Sequence, residues 1–473
     1  MSDSIPKALP HQEIGSQFLE EREVAALLDE QGLGKSRQML DALSVAMAKD
    51  DIQAALIICP NTIKATWAEE IERFTSHAYA IFGAGKSARR MAFQSLRASF
   101  YVINYEAVTA ELASLKALLK FKRMALVLDE SHRIKSPDAK VTRSIHALGP
   151  LAHKRYIMSG TPVANKPEDL WAQYYFLDRG QLLGRTFDEF RSLYCTAAGG
   201  YTNLDQLRQR ILEVSIRREK ADAIELPEKT ILRVPVRLRG RQRQMYEELR
   251  ERLALWVRDL SGDEVLAQAE NILTRLIRLA QLGSNPNLID SSYGELPAKF
   301  EAIDSILRDQ VSDSHSKAII WTSFVDNIPA LQERYSHLNP VSIHGNMTGD
   351  EKQRSVRAFR RDPAVRLLVA NPAAAREGLT LTEANMAIYL DRTFNLVDYL
   401  QSQDRIHRIS QTRPCSIILL VAEGTIDEFV DFSLEQKHRL AKYAQNDVDT
   451  VTAEDLSLSK PEILRALVDP SPN

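Results

Sequence analysis

The sequence has little cysteine, no long apolar run and almost no net charge, and each shortage removes a class of protein. Three cysteines, Cys59, Cys195 and Cys415, are spread over 473 residues. Their spacing suits neither a disulfide framework nor a thiolate metal site, so reduced thiols are expected. No apolar stretch approaches the ~18 residues that a membrane-crossing helix needs, so no membrane partner is expected. The first ten residues lack the basic-then-apolar order of a secretion signal, and a cytoplasmic location is the expectation. Lys and Arg number 61 against 63 Asp and Glu, a net charge of −2 that weighs against a protein binding polyanions through bulk charge. A local basic cleft remains compatible with that balance. Tandem repeats and low-complexity blocks are absent too.

What is present is ordinary globular material, 44% hydrophobic and 26% charged. At about 100–200 residues per domain, the length suits two or three domains. Short apolar runs read as buried parallel strands: Ala54–Pro60, Phe100–Glu106, Met124–Glu130 and Arg155–Pro162. Amphipathic stretches of helical length lie between them. A second series follows at Lys317–Ser323, Val365–Asn371, Met386–Asp391 and Cys415–Val421. Alternation of this kind implies α/β units with parallel sheets. The expected division is 1–178 and 291–445 as two α/β lobes, 179–290 as a helical region between them, and 446–473 as an acidic tail with one short helix at Pro461–Val468. Phe187, Phe190 and Tyr194 stand at helical spacing in the middle region and are expected to form a small core rather than a stacking platform for bases.

The chemistry concentrates in Asp29-Glu30-Gln31-Gly32-Leu33-Gly34-Lys35-Ser36. Phosphate needs backbone N–H donors at close range, which Gly32 and Gly34 permit around Leu33. Lys35 would reach the β- and γ-phosphates, and Ser36 would ligate Mg²⁺. The general phosphate loop has glycine where this chain has Asp29. Taken alone, Gly32–Ser36 also fits a surface turn. The partner motif is Val127-Leu128-Asp129-Glu130-Ser131-His132, where Asp129 would hold Mg²⁺ and Glu130 would activate the attacking water. An Asp-Glu pair also fits a solvated strand end, but less well when it follows a Lys-Ser loop at this distance.

Here the chain resembles the Swi2/Snf2 family of helicase-like ATPases in superfamily 2. DEQGLGKSRQ resembles the family's phosphate loop, in which an acidic residue stands at the first glycine position. LDESHRIKSP resembles its acidic box. Pro10-His11-Gln12, CPNTIKATWAEEIERF, VINYEAV and SGTPVANKPEDLWAQYYFL follow in family order. The run Ser215-Ile216-Arg217-Arg218-Glu219-Lys220, then Glu225-Leu226-Pro227-Glu228-Lys229, Gln244 and Tyr246, is the most diagnostic part. IIWTSFVDNIPAL, SIHGNMTGDEKQRSVRAF and DRTFNLVDYLQSQDRIHRISQTRP continue the likeness to about Lys437. One departure is Pro372-Ala373-Ala374-Ala375-Arg376-Glu377-Gly378-Leu379-Thr380-Leu381, where the family usually carries a Gly-Gly pair near Ala375 and Arg376.

The resemblance implies two RecA-like parallel-sheet lobes with a helical insertion and linker between them. It implies ATP and Mg²⁺ as cofactors, Gln12 as the adenine reader, Gly378 in the nucleotide site and Arg405 and Arg408 as arginine fingers. For nucleic-acid backbone it implies Lys64, Asn104, Thr322, His344 and Arg376; His344 and Asn104 also fit ordinary strand-end roles. The implied activity is that of a DNA-dependent ATPase, a monomer translocating on double-stranded or branched DNA, with a bacterial or phage source. A strand-separating DNA or RNA helicase and an ATP-switched adaptor of a restriction or defence complex are the competing expectations.

Overall fold

The computed structural model describes residues 5–447 apart from 84, 96, 164, 197–199, 259–267, 311–315, 376–378 and 446. Most of the expected acidic tail, with its short helix, lies outside the described residues. The chain divides into two compact units, Met1–Glu225 joined by the stretch from Arg439, and Leu226–His438.

The first unit is a seven-stranded sheet built from β1 (Val24–Leu27), β2 (Ala54–Cys59), β3 (Tyr79–Ile81), β4 (Phe100–Asn104), β5 (Met124–Asp129), β6 (Lys154–Met158) and β7 (Ser215–Ile216). Its strand order is β3-β4-β2-β5-β6-β1-β7, and every pairing is parallel. Helices cover both faces, which is why β2 and β5 are buried at every residue and read as continuous apolar runs. Three flanking helices matter for the site: α1 (Pro10–Glu20), α2 (Lys35–Ala48) and α3 (Lys64–Phe74). The register pairs Asp129 with Met158, and Met158 with Leu27. The carboxyl ends of β5, β6 and β1 therefore share one edge, the edge at which open parallel sheets bind ligands.

The second unit is a six-stranded parallel sheet of β8 (Lys229–Val236), β9 (Ala318–Trp321), β10 (Val341–Ile343), β11 (Leu367–Ala370), β12 (Met386–Tyr389) and β13 (Cys415–Ala422). Its order is β10-β11-β9-β12-β13-β8. Behind the strand ends lies a buried polar network. Asp391 accepts from Ser284 Oγ at 2.7 Å, Thr322 Oγ1 at 2.9 Å and the Ser323 amide at 2.6 Å. Burial pushes the Asp391 carboxyl up, and Lys299 and these donors pull it back.

Two parallel sheets with flanking helices form the fold the resemblance implies. The compact units do not follow the expected boundaries. The stretch 179–290, expected to be helical, contributes β7 to the first sheet and β8 to the second. β7 is two residues long and β8 is an exposed edge strand, so neither writes a buried apolar run into the sequence. The aromatic cluster is a core: Phe190 is 0% and Tyr194 2% exposed, with ring centroids 5.0 Å apart.

Ile57 sits mid-sheet between β4 and β5, fully buried. Ile57→Ala should cost about 2–5 kcal/mol in chemical denaturation of the first unit.

Candidate nucleotide site

β1 ends at Leu27, and the chain turns through Gly32 (φ +89°) and Gly34 (φ +74°) into α2. Both glycines occupy the left-handed region, where a side chain strains the backbone. Lys35 and Ser36 are the first two residues of α2, so they sit beside the free amides of a helix N-terminus. Lys35 Nζ folds back on its own loop, donating to Asp29 O at 2.8 Å and Glu30 O at 3.3 Å. Burial lowers the Lys35 ammonium pKa, and the carboxylates of Glu130, Asp29 and Asp129 oppose that shift.

The acidic residue in place of glycine has a structural partner. Asp29 is fully buried. Arg218 grips it with both arms, Nε to Oδ1 at 3.0 Å and Nη2 to Oδ2 at 2.5 Å. Gln38, one turn into α2, donates to Asp29 Oδ2 at 3.0 Å and accepts from Arg218 Nη2 at 2.8 Å. Arg218 also donates to the carbonyl of His11. Its neighbours clamp the flanking residues: Arg217 Nη1 donates to Leu28 O at 2.6 Å, and the Lys220 amide to Glu30 Oε2 at 2.8 Å. On its other arm Arg217 forms an ion pair with Asp447 at 2.6 Å. The sequence marked Arg217, Arg218 and Lys220 as diagnostic and assigned them no role. A buried carboxylate at position 29 was the signal that a cation had to come from elsewhere.

At the end of β5, Asp129 is 8% exposed and Glu130 partly so. Asp129 Oδ1 accepts from the Glu130 amide at 2.9 Å, and Oδ2 from the Trp67 indole at 2.9 Å. Glu130 has φ +54°, an uncommon conformation for a residue with a Cβ. Two bonds tie this strand end to the segment after β6. His132 Nδ1 lies 3.2 Å from Ser159 Oγ. Ser131 Oγ donates to Gln173 Oε1 at 2.7 Å, and Gln173 Nε2 donates to Pro162 O at 2.8 Å. Gly160 lies flat against the phosphate loop; a Cβ there would stand 2.6 Å from Gln31 Cγ, 3.1 Å from Gln31 N and 3.4 Å from Lys35 Nζ.

Gln12, on the first turn of α1, donates to Leu33 O at 3.3 Å and accepts from the Leu9 amide at 3.0 Å. His11 Nε2 lies 3.0 Å from the same carbonyl. The first unit thus gathers Gln12, Gly32, Leu33, Gly34, Lys35, Ser36, Asp129 and Glu130 around one strand edge.

The expected residues of the second unit are placed separately. Arg405 is 6% exposed and donates through Nη1 to Leu379 O at 3.1 Å; Arg408 donates to the same carbonyl at 3.2 Å and to Thr380 Oγ1 at 2.8 Å. Thr322 is fully buried and its hydroxyl donates to Asp391 Oδ2 at 2.9 Å. His344 Nδ1 is buried without a hydrogen-bond partner among the described residues. Arg376 and Gly378 lie outside the described residues. In the first unit, Lys64 Nζ donates to Phe82 O at 2.8 Å and approaches Asn104 Oδ1 at 3.4 Å.

Residues 11–288 match the model of the SNF2-related domain. The chain belongs to the SNF2-related family. Residues 298–410 match the helicase conserved C-terminal domain. The chain is similar to Chromodomain-helicase-DNA-binding protein 1-like of Danio rerio, 26% identical over 93% of this chain and 44% of that protein. It is 25% identical to the human DNA annealing helicase and endonuclease ZRANB3 over 91% of this chain and 40% of the relative. It is 28% identical to a putative ATP-dependent helicase/translocase of Bacillus subtilis over 91% and 48%. The chain therefore spans less than half the length of these relatives. Among solved structures, the Sulfolobus solfataricus SWI2/SNF2 ATPase core in complex with dsDNA is similar at 26% identity, over 98% of this chain and 97% of that one, with a TM-score of 0.45.

An SNF2-related domain followed by a helicase C-terminal domain is the architecture of a superfamily 2 ATPase, and SNF2 ATPase domains generally use ATP and Mg²⁺. The residues of this chain fit that pair. The loop offers backbone amides and a lysine to phosphates, and Gly160 leaves the space a Cβ would fill. Thr161 Oγ1, next to it, is buried without a hydrogen-bond partner among the described residues. Asp129 and Ser36 would supply hard oxygens of the kind Mg²⁺ takes alongside phosphate and water. Bound there, Mg²⁺ would neutralise charge on the phosphate oxygens.

Removing Arg218 leaves Asp29 as a buried charge without its cation. Arg218→Ala should destabilise the first unit by about 3–5 kcal/mol in denaturant melts. The double variant with Asp29→Asn should recover part of that loss, because the stranded charge is gone. Gly160→Ala should keep the fold and weaken binding of a fluorescent ATP analogue in an anisotropy titration, since the methyl group must displace Gln31.

Proposed function

We propose that this SNF2-type ATPase acts on DNA as a translocase on double-stranded or branched duplexes, in fork remodelling, branch migration, annealing or protein displacement. The observation that carries the reading is the Arg217–Lys220 clamp on the phosphate loop, because it gives a physical role at the ATP site to the run that most resembles Swi2/Snf2 proteins. The names of the zebrafish and human relatives, a DNA-binding helicase and a DNA annealing helicase, support DNA as substrate. A bacterial or phage source is part of the same proposal. A monomeric motor in the cytoplasm completes the reading.

In the proposed cycle Gln12 holds the base, and the loop amides with Lys35 hold the phosphates. Asp129 and Ser36 orient the metal-bound end. Glu130 takes a proton from the attacking water. Arg405 and Arg408, supplied by the second unit, add positive charge as the γ-phosphoryl group departs, which makes turnover depend on the arrangement of the two units. Lys64, Asn104, His344 and Arg376 would touch backbone phosphate, contacts that position the duplex without reading its sequence.

The test is the steady-state ATPase rate without nucleic acid and with single-stranded, duplex or forked DNA or RNA, using Lys35→Ala as the blank. Duplex or forked DNA should stimulate most. Stimulation by RNA or single strands alone would replace this reading with a strand-separating helicase, and indifference to all of them with an ATP-switched adaptor. Glu130→Gln should keep nucleotide binding and lower turnover by about 10²–10⁴-fold; normal turnover would remove Glu130 from the base role.

A further inference from the structure

Buried indole N–H and phenol O–H groups need acceptors, and most find the nearest carbonyl. Two in the first unit converge on one residue of the nucleotide site from two different segments, one on its carboxylate and one on its backbone carbonyl. Trp67, 2% exposed on α3, donates its Nε1–H to Asp129 Oδ2 at 2.9 Å. Tyr105, also 2% exposed, opens the helix Tyr105–Ala110 and donates its hydroxyl to Asp129 O at 2.8 Å. With the Glu130 amide on Oδ1, the carboxylate and its own backbone are fixed at three points. A donor on a carboxylate is charge-assisted and holds direction well.

The same segments carry the candidates for nucleic-acid contact. Lys64 lies three residues before Trp67 on α3 and therefore on the same face. Asn104 directly precedes Tyr105. The two are joined, Lys64 Nζ to Asn104 Oδ1 at 3.4 Å, and Asn104 Nδ2 donates to Glu106 Oε2 at 2.8 Å. Glu106 in turn lies 3.5 Å from Arg133 Nη1, four residues past Asp129.

We propose that Trp67 and Tyr105 are positioning residues for Asp129, and that through them a duplex on Lys64 and Asn104 sets how tightly Asp129 holds Mg²⁺. The coupling half rests on the DNA reading above; the positioning half does not. Groups that orient a metal ligand typically carry about 10–100-fold in metal affinity. The bonds are short, buried and within one compact unit, so a shift of α3 reaches the carboxylate directly and a shift of the Tyr105 helix reaches it through the Asp129 backbone.

The experiment uses the full chain and reads binding, not turnover. A fluorescent, non-hydrolysable ATP analogue is titrated by anisotropy across a Mg²⁺ series and in EDTA. Trp67→Phe keeps an aromatic ring and removes the N–H; Tyr105→Phe removes one oxygen. Each should raise the Mg²⁺ midpoint, by about 10-fold for Trp67→Phe, and leave affinity in EDTA unchanged. A variant that lowers both affinities equally, or leaves the midpoint in place, would show that the bond merely satisfies a buried donor and would overturn the proposal. Should Trp67→Phe fail to fold, Tyr105→Phe carries the same test. Duplex DNA should lower the wild-type midpoint, and Trp67→Phe, Lys64→Ala and their double variant should all lose that response to the same extent. A wild-type response that Trp67→Phe retains would strike down the coupling alone. A wild-type midpoint indifferent to duplex DNA, where duplex DNA still stimulates ATPase, would strike down the coupling alone; indifference of both would strike down the DNA reading as well.

Discussion

The bidentate pair between Asp29 and Arg218 is the constraint on which the first unit depends. A phosphate loop needs its backbone held in an unusual path, and a glycine at the first position usually permits that path by lacking a side chain. Here a fully buried carboxylate stands there instead, tolerable only with a cation and further donors around it. Arg218 and Gln38 provide both. The arginine comes from 189 residues further along the chain. The loop therefore has its shape only after β7 has joined β1, in the register Ala26 to Ser215 and Leu27 to Ile216. The shape of the loop and the closing of the first sheet are therefore linked through one residue run.

From that fixed loop the rest of the site follows by short steps. Gly160 packs on Gln31 because no side chain intervenes. Ser159, one residue earlier, meets His132, three residues beyond Asp129. Gln173 ties Ser131 to Pro162. Three sequence-distant segments are thus tied together around Lys35. Packed interiors transmit displacement because they hold few voids.

Much of this was legible in the sequence, and what was not has a physical reason. β2, β4 and β5 announced themselves because both faces of a parallel sheet are covered, so their residues are apolar up to the strand ends; β6 showed through Tyr156-Ile157-Met158 after Lys154 and Arg155. β3 and β10 have three residues each, too few for a pattern, and β8 carries Lys229 and Arg233 along an open edge. The loop and the acidic strand end were readable because their residues are contiguous. The partners of Asp29 and Asp129 were not, since Arg218 and Trp67 look like any helix-flanking arginine and any core tryptophan until the fold brings them in. Thr322 shows the converse: a motif position whose hydroxyl the structure spends on the buried Asp391.

Glu130 holds φ +54°, a conformation that costs a residue with a Cβ about 1–3 kcal/mol and costs glycine or asparagine less. The strain sits on the residue assigned to activate water, where the side chain cannot be exchanged without losing its carboxylate. Stability and turnover therefore pull against each other at this one position. A population of variants selected for thermal endurance alone would drift at residue 130 towards Gly or Asn, towards sturdier proteins that bind nucleotide and never spend it.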